Sequence, residues 1–242
     1  MIITITNGKG GTGKTTLNLF LAIYLFRRGN KVLLIDIDPN CSASEALGKI
    51  LCRENSRQLL MGRTVIPYTI KADDKAVLDL IPSDLDLDML SNINDNQLKI
   101  QLKKQGFVNQ YDYILIDPPG TWGAQTRNAV YAAESIAVVG KCSPLDFAAT
   151  TKYFAKLCDC GIESDVRVVC NGYASVSDPD GIWEQYRAQF GEYLLESPVP
   201  KMNSLKRLAN NSDYHVRADL EKKLLPFIES VTGIKVLQEE GE

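Results

Sequence analysis

The sequence predicts an α/β fold, a doubly wound, mostly parallel sheet flanked by helices, and three observations carry that prediction. Short runs of apolar and β-branched residues recur along all 242 residues, separated by stretches with helical spacing. The runs are apolar almost without interruption, as strands covered on both faces are, rather than alternating. A glycine-rich loop, NGKGGTGKTT over 7–16, stands between the first strand and the first helix, at the sheet edge where such folds bind ligands.

Taken in order, the expected strands are IITIT (2–6), KVLLIDI (31–37), AVLDLIP (76–82), YDYILIDPP (111–119), SIAVVG (135–140) and VRVVCN (166–171). Between the first two, Lys14–Arg28 is apolar at helical spacing and is closed by Gly29, a C-terminal cap signal. No repeat, low-complexity tract or Pro/Gly/Ser linker divides the chain, so one domain over 1–242 is expected, with the acidic QEEGE (238–242) as a frayed end. Met1 leads directly into the first strand without the basic segment of a signal peptide. The longest apolar run, LNLFLAIYLF (17–26), is roughly half a membrane span. A cytoplasmic protein is expected, and the six cysteines fit as reduced thiols. Cys158 and Cys160 form C-x-C rather than a metal or redox C-x-x-C, and a single histidine, His215, argues against His-based ligation or a Ser-His-Asp triad. The net charge of −3 advertises no global attraction to nucleic acid.

The loop carries the chemistry. Gly8 to Thr15 satisfies G-x-x-x-x-G-K-[ST], the cradle of nucleotide phosphates. Its glycines, Gly10, Gly11 and Gly13 among them, let backbone N–H groups approach oxyanions, with the following helix N-terminus completing an anion nest. Lys14 is expected to reach the β/γ-phosphates, and the Thr15 hydroxyl to meet Mg²⁺. Magnesium takes hard oxygen ligands. Asp117 ends the strand YILID, and Asp36 and Asp38 end VLLIDID beside the same sheet edge. One residue is left over: Lys9, at the mouth of the loop, is not required by the pattern.

KGGTGKTT (9–16), LLIDIDPN (33–40) and YDYILIDPPG (111–120), with LDLIPSDLDL (78–87) and SPLDFAAT (143–150), together resemble the deviant Walker A ATPases, and among them the ParA/Soj partition proteins. The resemblance runs from Met1 to about residue 220. It implies that Lys9 crosses a dimer interface to the partner's phosphates, sandwiching two ATP molecules, as an arginine finger stabilises transferring phosphoryl charge. It implies further that Asp38 orients the attacking water and that Thr15, Asp36 and Asp117 hold the Mg²⁺ shell. Residues Lys9 to Thr16, including Thr12 and Thr16, surround the nucleotide. Asn171 reads adenine with its amide, and Pro200 lies in the loop that closes over the base. Thr12 in place of the usual Val, Asn40 in place of Gln, and DPPG (117–120) without the usual threonine depart from the pattern.

The same resemblance implies an ATP-dependent homodimer that binds DNA non-specifically, hydrolyses ATP slowly and answers to a ParB-like centromere-binding partner, nucleoid-associated when ATP is bound. Because Met1 opens the first strand, no N-terminal helix-turn-helix is expected. DNA contact falls on the window Lys201–Lys223, which holds six cations against three anions; Lys201, Lys206, Arg207, Lys222 and Lys223 are its candidates. A conjugation-associated ParA-like ATPase is an alternative. Another is a MinD-like membrane-cycling ATPase, which needs a terminal amphipathic helix. Here KLLPFIESVTGIKVLQEEGE (223–242) is interrupted by Pro226 and ends acidic, so no membrane partner is expected. A metal-cluster ATPase requires cysteines that IDPPGTWG lacks, and a dinucleotide oxidoreductase requires G-x-G-x-x-G rather than GKT.

Overall fold

A computed structural model of the chain describes residues 1–174, 178, 180–201 and 218–234. Its strands are β1 Ile2–Thr6, β2 Lys31–Asp36, β3 Tyr68–Ala72, β4 Val77–Ile81, β5 Tyr113–Asp117, β6 Ser135–Lys141, β7 Asp165–Tyr173 and β8 Val199–Pro200. The helices are α1 Lys14–Arg27, α2 Ser42–Ala46, α3 Ser56–Leu60, α4 Gln97–Lys104 and α5 Phe107–Gln110. They continue as α6 Ala124–Ala132, α7 Pro144–Asp159, α8 Ile182–Phe190 and α9 Ala218–Thr232.

The strands form one sheet in the order β3-β4-β2-β5-β1-β6-β7-β8. Every pairing is parallel except that of β3 with β4. The doubly wound, mostly parallel sheet expected from the sequence is therefore present. Successive side chains on each strand leave opposite faces, and the core divides accordingly. Ile3, Ile5, Val32, Leu34, Leu115, Ala137 and Val139 face a layer built from α1 and α9. Ile2, Leu33, Ile35, Ile114 and Ile116 face α3, α4, α5 and α6, while Ile136 and Val138 face α7 and α8.

Two strands went unread in the sequence. β3 is a half-exposed edge with an irregular register between Thr69 and Lys71, and β8 is two residues long. α9 also corrects the sequence reading at Pro226, which lies inside a continuous helix rather than ending one. Its apolar face, Leu220, Leu224, Phe227, Ile228 and Val231, is buried in the core. No helix among the described residues is long and apolar enough to cross a membrane.

Candidate nucleotide and magnesium site

β1 is buried throughout and ends at Thr6, and α1 begins at Lys14, so the loop Asn7–Gly13 turns at the carboxyl edge of the sheet. Gly11 and Gly13 take φ of 74° and 104°, the left-handed region that L side chains avoid. A Cβ on Gly13 would also run into Nδ2 of Asn171, whose amide donates to the Thr12 carbonyl at 2.8 Å. Gly120, just beyond β5, packs its Cα against the loop from the other side: a Cβ there would meet Gly10 N at 2.9 Å. The loop is thus clamped between β7 and the segment after β5.

Inside the loop, the Lys14 ammonium curls back to donate to the Lys9 carbonyl at 3.2 Å. Burial pushes its pKa down, while the charges of Asp117 and Asp38 oppose that shift. Thr15 Oγ1 donates to Asp117 Oδ2 at 2.7 Å, and Asn18 Nδ2 donates to Asp117 Oδ1 at 2.8 Å. Thr15 and Asn18 are three residues apart on α1 and so share a face. Thr16 follows half-buried in the first turn.

Asp36 and Asp117 are direct neighbours in the β2/β5 register and are both fully buried. Burial pushes both carboxyls above the ordinary carboxylate range; the like charge of Asp36 raises Asp117 further, and that of Asp38 raises Asp36. The two are not equivalent. Asp36 Oδ1 accepts the Asp38 backbone N–H, and Oδ2 accepts the Ser44 backbone N–H and hydroxyl. Its carboxylate holds the turn that carries Asp38. Ser44 Oγ in turn accepts the Ser83 N–H, and Ser83 Oγ donates to the Asp38 carbonyl at 2.7 Å. Asp38 itself is buried and accepts from Asn40 N and Nδ2, both at 2.9 Å and both through Oδ1.

Lys9 does not enter its own cradle. Its ammonium pairs with Asp146 Oδ2 at 2.9 Å, in the first turn of α7. Asp146 is buried and accepts the Ser143 hydroxyl at 2.6 Å, while its N–H donates to Ser143 Oγ, a reciprocal cap of the helix start. Farther along α7, Tyr153 packs against Gly8 and shares a hydrogen bond with the Thr6 hydroxyl at 2.5 Å. The Trp122 ring meets Tyr153 edge-on at 5.4 Å, with the Lys156 ammonium 5.3 Å from the indole centroid. Segment 118–123, α7 and the loop therefore form one packed unit.

Asn171 and Pro200 lie on adjacent strands, where Asn171 pairs with Val199 and Tyr173 with Pro200. The described cations of the basic window lie on separate elements. Lys201 is exposed at the carboxyl edge, its N–H donating to the Tyr173 carbonyl. Lys222 and Lys223 are exposed on α9 beside Glu221, which pairs with Arg28 just past the far end of α1, roughly 20 Å away along that helix. Lys206 and Arg207 lie outside the described residues, as does the acidic end 238–242.

A nucleotide and Mg²⁺ fit what is present. The loop presents its N–H groups at a helix N-terminus, and the buried Thr12 hydroxyl has no partner among the described residues. Paired buried carboxylates with raised pKa values beside a threonine hydroxyl fit a hard divalent cation. No cluster of three or more His, Cys, Asp or Glu among the described residues could cage a metal alone; a magnesium ion keeps waters and phosphate oxygens as its other ligands. Thr15, Asp117 and Asp36 are the residues available to its shell. Asn18, Ser44, Ser83, Asp146 and Gly120 are the supporting groups the sequence reading missed. Asn18 left a signal as a lone amide within the apolar run LNLFLAIY; Ser83, Gly120 and Asp146 stood inside LDLIPSDLDL, YDYILIDPPG and SPLDFAAT with no role assigned to them, and Ser44 left none.

The AAA domain family profile AAA_31 matches residues 1–156. The chain is 34% identical over 148 residues to the sporulation initiation inhibitor protein Soj of Bacillus subtilis, covering 58% of each protein. It is 27% identical over 214 residues to the chromosome partitioning protein ParA of Caulobacter vibrioides, covering 83% of this chain and 80% of that one. The match to Soj thus spans little more than half of that relative's length. Among solved structures, an ATP complex of a Cyanothece McdA variant superposes with a TM-score of 0.82 at 21% identity, covering 98% of both chains. Together with the loop, the strand-end carboxylates and the sheet that aligns them, these matches establish that the chain belongs to the ParA/Soj-type ATPases of the ParA/MinD superfamily.

Proposed function

We propose that this protein is a DNA-partition ATPase that alternates between a free monomer and an ATP-sandwiched homodimer, binds DNA without sequence preference as the dimer, and hydrolyses ATP slowly. A ParB-like centromere-binding partner accelerates the turnover, and the protein resides in the cytoplasm, on the nucleoid when ATP is bound. The observation that carries this reading is Lys9. It stands at the mouth of a complete phosphate loop, turned outward onto Asp146 at 2.9 Å rather than into its own cradle, and on leaving Asp146 it would meet a second subunit's phosphates.

In this reading Lys14 and the loop N–H groups hold the β- and γ-phosphates, and Asn171 and Pro200 flank the adenine. Asp38 holds the attacking water in line and accepts its proton as the bond forms, a role in which a positioned carboxylate contributes about 10²–10⁴-fold. Asp36 keeps Asp38 in place through the turn hydrogen bonds described above. Thr15 and Asp117, with Asp36, hold the Mg²⁺ shell. Bound magnesium neutralises charge on the phosphates. Dimerisation is nucleotide-dependent because apposed lysines repel until phosphates lie between them.

Sedimentation with DNA or with anionic liposomes, in ATP, ADP or no nucleotide, tests the proposal. Co-sedimentation with DNA in ATP alone is expected. Binding to liposomes instead would point to a membrane-cycling ATPase, and no ATP-dependent partner at all would remove the partition role.

A further inference from the structure

The loop has a third lysine beside it, far from the motif in sequence. Lys141 ends β6 and is its one exposed residue, the other six being buried. β6 pairs with β1 only as far as Thr6↔Val138, then runs on for three residues past the point where β1 gives way to the loop. That overrun carries the Lys141 ammonium to 3.8 Å from the position a Cβ on Gly11 would occupy. The residue is firmly rooted. Its carbonyl accepts the Ser143 N–H and the Tyr186 hydroxyl, and in the sheet it stands opposite Asn171. Asn171 holds the Thr12 carbonyl, so Lys141 and Asn171 together bracket residues 11–13.

What separates Lys141 from the other two lysines is compensation. Lys9 has Asp146, and Lys14 has Asp117 and Asp38 within electrostatic reach. Lys141 has no carboxylate within ion-pair distance among the described residues. An uncompensated ammonium held by a rigid strand against a loop shaped for oxyanions is attracted to whatever anion fills that loop. We propose that Lys141 is a phosphate-binding residue for the nucleotide held by its own subunit, contributing to affinity for ATP and ADP alike. This rests on the nucleotide reading of the loop and adds a ligand that the motif does not contain.

Fluorescent N-methylanthraniloyl ADP and ATP, titrated into wild-type protein, Lys141→Met and Lys141→Arg, test it. Lys141→Met is expected to weaken both nucleotides about tenfold at low salt, with the gap narrowing as ionic strength rises. Lys141→Arg should recover most of the loss, and the melting temperature of the nucleotide-free variants should match wild type. Equal affinities in wild type and Lys141→Met overturn the inference while leaving the nucleotide site standing. Unchanged ADP binding with lost ATP-dependent dimerisation overturns the own-subunit assignment, placing the lysine across the interface instead. Failure of wild type to bind either nucleotide would overturn both this inference and the reading beneath it.

Discussion

At the scale of single residues, the phosphate loop sets lysines of different character side by side, and substitution should separate them. Lys14 is buried behind the loop, so Lys14→Ala is expected to abolish nucleotide binding. Lys9 points away from the cradle, so Lys9→Ala should leave most monomer binding of ATP in place but remove turnover and the ATP-dependent dimer. Asp146 keeps its hydrogen bond to Ser143 when Lys9 is gone, so the helix start should survive. Equilibrium binding, turnover and size-exclusion chromatography on both variants check this, and a Lys9→Ala protein that dimerises and hydrolyses normally would remove the cross-subunit role. Asp38→Ala should lower turnover by about 10²-fold or more while retaining ATP, leaving a dimer longer-lived than wild type on the same column. The residues behind these expectations were legible because the motif binds through backbone and needs fixed spacing. The supporting roles of Asp146, Ser44, Ser83 and Gly120 were not, although three of the four lie in segments that carried the family resemblance. They come from parts of the chain remote from the loop, and only packing brings them to it.

At the scale of elements, legibility followed burial. β1, β2, β5 and β6 are covered on both faces and read as unbroken apolar runs. β3, YTIKA, is a half-exposed edge without that pattern, and its register irregularity and Lys71 fit an edge blunted against further pairing. β8 exists only because β7 offers it a partner. Pro226 misled because an interior proline removes a helix hydrogen bond. Here the residue lies on the exposed side of α9, where water can satisfy the carbonyl left without a donor. The exposed side of α9 also carries Lys222 and Lys223. A second cationic element, α4, has Lys99, Lys103 and Lys104 exposed and no acidic residue. Lys222→Glu with Lys223→Glu is expected to weaken ATP-dependent DNA binding about tenfold or more, and to flatten its salt dependence. Lys99→Glu with Lys103→Glu should leave it intact. A DNA shift assay beside a turnover assay decides, and the opposite pattern would move the DNA contact to α4.

At the scale of the whole molecule, one sheet aligns everything the chemistry needs. Parallel strands end at the same edge, so β2 and β5 bring Asp36 beside Asp117, β1 delivers the loop next to them, and β7 sets Asn171 against the loop from the far side. That arrangement was foreseeable once the strands were, because topology alone places their carboxyl ends together. The packing of Trp122, within segment 118–123, against Tyr153 and Lys156 of α7 was not foreseeable, and it gives the molecule an optical reporter of its own. The chain has only two tryptophans. Trp183 lies on α8 near Tyr173, whereas Trp122 is two residues from the glycine that touches Gly10. In a Trp183→Phe protein all indole emission comes from Trp122, and its spectrum should shift when ATP enters the loop and shift back after hydrolysis. A stopped-flow trace of that colour change would time the nucleotide cycle without any label, and an emission spectrum indifferent to saturating ATP would show that segment 118–123 stays still throughout.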